Sequence, residues 1–230
     1  MPSIDIKNPA GKYLETDLGN IQLTEFLGRG KSGYSYLGKL GDSIYTVKFM
    51  HNEPCAYYAF GENNKVELEV QAYRFLNKLH IPLPELITYN PERNFLVKAF
   101  IEGVTAPELI AAGKAESVIE QLYRMSNTAN DAGINLDYFP ANFVASADKL
   151  YYIDYEYNEY QTQWDLYNWG IYYWANSRGM KQYLKTGDIL NINQSFESGR
   201  PIKHSLEAVV ETWNNRYCGK KIPFSVTKKT

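Results

Sequence analysis

Residues 21–50 read IQLTEFLGRGKSGYSYLGKLGDSIYTVKFM, and the fold turns on how this stretch divides. Ile21, Leu23 and Phe26–Leu27 lead into GRGKSG; SYLGKL follows, then a turn at Gly41–Asp42, then SIYTVKFM. Apolar, β-branched and aromatic runs bounded by turn formers predict strands. The stretch therefore reads as three antiparallel strands joined by a glycine-rich bend and a tight turn.

Outward from it, a helix is predicted from about Asn63, with Val66, Val70, Tyr73, Leu76 and Leu79 on one face. Ile81–Pro82 and Leu83–Pro84 stop it. ELITYN and NFLVKAFI predict two short strands. From Ala106 the signals turn helical, in APELIAAG and ESVIEQLYRMSNTANDAG. A strand–loop–strand pair, NFVAS and LYYIDYEY, interrupts them, and helices return at WDLYNWGIYYWANSRG and near HSLEAVVETWNNRY. Strands first and helices afterwards predict an α+β chain.

Composition narrows the function classes. The 230 residues are 44% hydrophobic and 22% charged, which fits a globular chain. A net charge of −2 provides no basic field for nucleic acid and none for a membrane surface. No apolar run approaches a bilayer span, and MPSIDIKNPAGKYLE lacks the apolar core of a signal peptide. Cys55 and Cys218 form no ligand or bridge pattern and read as free thiols in a reducing compartment. The expected location is the cytoplasm.

Gly28, Gly30 and Gly33 spell G-x-G-x-x-G. A dinucleotide-binding turn needs a helix immediately afterwards, and Tyr34, Tyr36 and Leu37 continue into a hairpin instead. A Walker A loop would need glycine at Glu25, and a helix as well. What remains is a bend between strands, either an ordinary hairpin or one whose backbone N–H groups close over phosphates. Lys48 ends YTVK on a later strand of the same hairpin set. A lysine buried in a strand is costly without an anion, and Glu69 on the following helix, or Glu67, supplies one. LDYFPAN contributes Asp137 and Asn142, and YYIDYEY places Asp154 at a strand end. The two segments form a hairpin on which these three residues converge.

From about Leu23 to Gly179 this ordered set resembles the protein-kinase-like superfamily. The resemblance implies a bilobal fold: an extension over 1–20, a small antiparallel β lobe over 21–103, a reduced and mostly helical lobe over 104–220, and a basic tail over 221–230. It implies ATP bound under Gly28, Gly30 and Gly33, oriented by Lys48 paired to Glu69. Adenine would be read by the hinge backbone at Ala99, Phe100 and Ile101, beneath Thr46. Asp137 would orient the attacking hydroxyl, and Asn142 and Asp154 would hold magnesium, a hard ion suited to oxygen ligands. Asp165-Leu-Tyr-Asn-Trp-Gly170 resembles the opening of the superfamily's core helix, where the Asp is expected to bond the catalytic-loop backbone.

Four departures from the pattern stand out. Asn135 and Leu136 replace the usual His and Arg, and Phe139 stands where a Lys or His is common. Asp154-Tyr155-Glu156 lacks the glycine of DFG, and eight residues between Glu156 and Asp165 leave no room for an activation segment. The resemblance therefore points to an atypical serine/threonine protein kinase, similar to the RIO-type enzymes. Alternatives are a small-molecule kinase, since IDYEY is similar to choline and aminoglycoside kinases, and a nucleotide-binding pseudokinase. The partners implied are ATP and either a protein or a small alcohol.

Overall fold

The computed structural model describes residues 6–9, 11–53, 63–197 and 199–217. The expected basic tail, Cys55 and Cys218 lie outside them. The chain is α+β and divides into two compact units, Met1–Glu102 and Gly103–Thr230.

The first unit is a curled antiparallel sheet with one helix. Its strands are β1 (Tyr13–Thr16), β2 (Gly19–Arg29), β3 (Gly33–Leu40), β4 (Ser43–Met50), β5 (Leu86–Asn90) and β6 (Phe95–Ala99), ordered β1-β2-β3-β4-β6-β5. Strand β1 falls inside the stretch expected to be an extension, and its hairpin with β2 is closed by Thr16 Oγ1 donating to Gly19 O at 2.8 Å. Register shifts between Leu23 and Phe26 and between Phe26 and Gly28 interrupt the β2–β3 ladder; such bulges bend a strand and increase its twist.

Side chains alternate across a strand, and β4 shows it. Val47 and Phe49 join Leu14, Ile21, Leu23, Tyr34, Tyr36, Phe95 and Val97 in one core. Met50 faces the other way, onto Leu96 and onto Val66 and Val70 of α1 (Lys65–Lys78). Lys48 and Thr46 share that second face with Met50. Helix α1 starts where Asn64 accepts from the N–H groups of Val66 and Glu67, satisfying two of its orphan donors.

The second unit opens with β7 (Val104–Thr105) and α2 (Ala106–Ala111), the latter capped by a Thr105–Glu108 capping box. Helix α3 (Glu116–Asp131) leads to β8 (Ile134–Leu136), a 3-10 turn Pro140–Asn142, and the hairpin of β9 (Phe143–Ser146) and β10 (Lys149–Tyr152). β7 adds to β9, and β11 (Tyr157–Glu159) pairs with β8. The core of this unit is aromatic: Phe143 lies 5.1 Å from Tyr152 and 5.3 Å from Trp174 between ring centroids.

The aromatic run from Trp164 is not one helix. A π-helical turn Leu166–Gly170 passes into α4 (Ile171–Ala175), and the chain breaks at Asn176 before α5 (Ser177–Thr186). Asn176 leaves helical geometry, and its side chain accepts from Gly179 N at 2.9 Å, capping α5. Helix α6 (Glu207–Tyr217) is tied to α3 by Trp213 Nε1 donating to Glu116 Oε2 at 2.6 Å. Among the described residues no helix is long and apolar enough to cross a membrane.

Candidate functional site

In the sheet unit, Lys48 and Glu69 are 7% and 8% exposed and form an ion pair. The pairing decides between the two glutamates: Glu69 is buried on the sheet side of α1, and Glu67 is exposed in its first turn. Ser32, in the bend between β2 and β3, donates to the same Glu69 oxygen at 3.2 Å. The bend is held further by Gly30 N donating to Gly33 O at 2.9 Å and by His51 Nε2, 3.1 Å from Gly30 O. At its base Arg29 pairs with Glu53 at 2.6 Å. Hydrogen bonds from Lys7 and then Tyr34 hold the Glu53 carboxyl down at about 2.

The three glycines have different reasons. A Cβ on Gly33 would stand 2.6 Å from Phe49 O, so the approach of β4 demands glycine there. At Gly28 and Gly30 a Cβ would meet nothing within 4 Å, and neither has positive φ. Neither packing nor backbone geometry requires glycine at those two positions.

Thr46 lies mid-strand, opposite Leu37 and Lys98. Of the three hinge residues, Ala99 N donates to Glu85 O at 2.8 Å and Phe100 N to Ile44 O at 3.4 Å, both within the sheet. Among the described residues nothing accepts from Ile101 N–H. Lys98, buried and cross-strand from Thr46, places a second cation on the Lys48 face. Nothing in its sequence setting singled it out.

In the second unit one loop gathers the other predicted residues. Asp137 follows β8, and its Oδ1 accepts from Phe139 N at 3.1 Å. Asn142 Nδ2 donates to Asp137 O at 3.2 Å, and Ile153 N donates to Asn142 O at 2.8 Å, tying the loop to the β10 end that carries Asp154. Because a carbonyl must receive the Asn142 amide nitrogen, the amide oxygen is turned the other way. That is the donor a hard cation takes. Among the described residues no group of three or more His, Cys, Asp or Glu forms a metal cage. The Asn142 amide oxygen and the Asp154 carboxylate are donors of the kind that an ion of the magnesium type takes.

Tyr152 is fully buried, and its phenol is pushed well above its ordinary range by burial and then by the carboxylates of Asp154, Asp137 and Glu156. All three carboxylates therefore act on this one hydroxyl electrostatically. Glu156, treated in the sequence only as a departure from DFG, belongs to this group. Tyr173 is likewise raised, by burial and then by Asp137.

Asp165 differs from expectation. It is 2% exposed, and it accepts from Asn168 N at 2.7 Å, from Asn168 Nδ2 at 3.0 Å and from Tyr160 Oη at 3.2 Å. It caps the π-helical turn, and that capping replaces the expected bond to the catalytic-loop backbone. The motif reaches the loop through its glycine: a Cβ on Gly170 would lie 2.4 Å from Tyr138 Cβ. Tyr138 cannot retreat, since Trp174 Nε1 donates to its carbonyl at 2.9 Å. Gly170→Ala is expected to cost about 1–3 kcal/mol by overpacking, which lowers Tm by about 2–4 °C per kcal/mol in a calorimetric scan. An unchanged Tm would show that the loop yields. Compared with models of protein families and with curated proteins, the chain finds no match.

Proposed function

We propose that this chain is an ATP- and magnesium-dependent phosphotransferase of the protein-kinase-like bilobal class, acting as an atypical serine/threonine protein kinase without an activation segment. The observation that carries the reading is the buried Lys48–Glu69 pair with Ser32 of the glycine bend bonded to the same carboxylate. A buried ion pair is weak support for stability on its own. Beside a bend whose Gly28 and Gly30 answer no packing need, it reads as a phosphate-orienting amine.

Phosphoryl transfer asks the protein chiefly for positioning and charge. Lys48 orients the phosphates, and Ile101 N–H meets the base near Thr46, with Ala99 and Phe100 closing the strand before it. Asp137 accepts the hydrogen bond of the attacking hydroxyl and takes its proton as the hydroxyl oxygen bonds to the γ-phosphorus and the bond from that phosphorus to the departing ADP breaks. Asn142 and Asp154 would hold magnesium, which neutralises charge on the phosphates when bound.

A second reading, transfer to a small cationic alcohol, is favoured by one observation. Phe139, two residues from Asp137, packs edge-on against Tyr173 at 5.1 Å, and Trp169 and Trp164 continue the row at 5.5 and 5.7 Å. Aromatic faces near carboxylates suit ammonium groups. Labelled ATP supplied with a protein lysate or with a panel of amino alcohols separates the two.

The test of nucleotide binding comes first. ATP with magnesium at about 100 times Kd should stabilise the chain by about 2.7 kcal/mol, raising Tm by about 5–10 °C. A shift without transfer to any acceptor would mean a pseudokinase. No shift at all would end the nucleotide reading.

A further inference from the structure

Tyr152 closes β10 and its ring packs on Phe143, yet its hydroxyl has a separate task. Oη accepts from Asp137 N at 3.3 Å and donates to Glu156 O at 3.0 Å. It thus bridges the backbone of the Asp137 loop to the backbone just past Asp154. Among the described residues these segments are also tied by Ile153 N donating to Asn142 O at 2.8 Å and by the β8–β11 pairing of Leu136 with Tyr157. The loop carrying Asp137 and Asn142 is thus held to the turn carrying Asp154 and Glu156 at Ile153 N and, through the Tyr152 hydroxyl, at Glu156 O.

We infer that the Tyr152 hydroxyl is a positioning group that sets the spacing between Asp137 and the Asp154–Glu156 turn. The inference rests on the phosphotransferase reading for its consequence in catalysis, though not for its geometry. Only a group that accepts and donates at once can serve both backbone partners, and a tyrosine hydroxyl does so with its ring locked by packing. Transfer requires the acceptor's base and the metal ligands to hold one geometry, and a misplacement of about 1 Å costs about 100-fold.

Tyr152→Phe keeps the ring and removes the bridge. Under the phosphotransferase reading, kcat should fall about 10–100-fold with KM for ATP unchanged, and half-maximal rate should require more magnesium. Hydrogen exchange should quicken in peptides covering 134–142 and 153–159 and stay unchanged in α3. Tyr123→Phe, which deletes a bond to Asn214 in the same unit, is the control and should alter neither rate nor exchange in those peptides. Wild-type rate, magnesium dependence and exchange in Tyr152→Phe would overturn the inference. Should the wild type transfer no phosphate, the function fails and the exchange comparison alone decides the positioning role. Should Tyr152→Phe fail to fold, the wild type decides it. Asp137 N–H protected like the β9–β10 ladder supports the bridge, and exchange at an open-loop rate sinks it.

Discussion

Asp137→Asn is expected to lower phosphoryl transfer about 100- to 10,000-fold while leaving the ATP–magnesium thermal shift intact. The substitution is nearly isosteric. The Phe139 N–H that bonds Oδ1 keeps an acceptor, and the bonds from Asn142 Nδ2 to Asp137 O and from Asp137 N to Tyr152 involve only backbone atoms of residue 137. The loop should therefore stay formed. Under the phosphotransferase reading, what disappears is the anionic acceptor for the proton of the attacking hydroxyl, and an amide cannot replace it at neutral pH. Single-turnover transfer and thermal shift, measured on the same preparation, separate the two effects. Full turnover in the variant would show that Asp137 is not the base.

The second large effect concerns the buried pair. Lys48→Met strips the Glu69 carboxylate of its ammonium in a setting almost closed to water, and should destabilise the sheet unit by about 3–5 kcal/mol. Glu69→Leu should cost a similar amount, since it removes the buried carboxylate that pairs with the amine. Lys48→Met combined with Glu69→Leu should recover most of that loss, because a well-packed apolar pair is often neutral or stabilising relative to a buried ion pair. Ser32 then lacks its acceptor, which limits the recovery by about 1 kcal/mol. Urea unfolding of the four proteins gives the coupling energy. The nucleotide-induced shift should be absent from all three variants, the stable double variant included, and that contrast distinguishes a phosphate-orienting amine from a structural one. A double variant that still responds to ATP would remove Lys48 from the site.

Strands β2 to β4 and helix α1 were legible because their patterns repeat: period two in SIYTVKFM, and an apolar stripe that begins near Asn63 and is stopped by Pro82. Strand β1 was not, since Leu14 is its one buried residue and a single inward side chain sets no period. The break at Asn176 was hidden by the aromatic run around it, which is apolar on every side and conceals a change of axis. Residues defined by type and order, such as Lys48, Glu69, Asp137, Asn142 and Asp154, were named from sequence. Those defined by what their hydrogen bonds reach were not. Asp165 was assigned to the loop backbone and caps its own turn, and Tyr152 looks in sequence like any strand aromatic.

The bend between β2 and β3 has a consequence for engineering. Alanine at positions 28 and 30 meets no obstacle in the folded sheet and would restrict the unfolded ensemble, a gain of about 0.4–1 kcal/mol at each. Redesign guided by folding energy alone will therefore choose methyl groups there early. Under the phosphotransferase reading those methyl groups would crowd the phosphates beneath the bend, so the thermostable sequence and the active one would diverge there first.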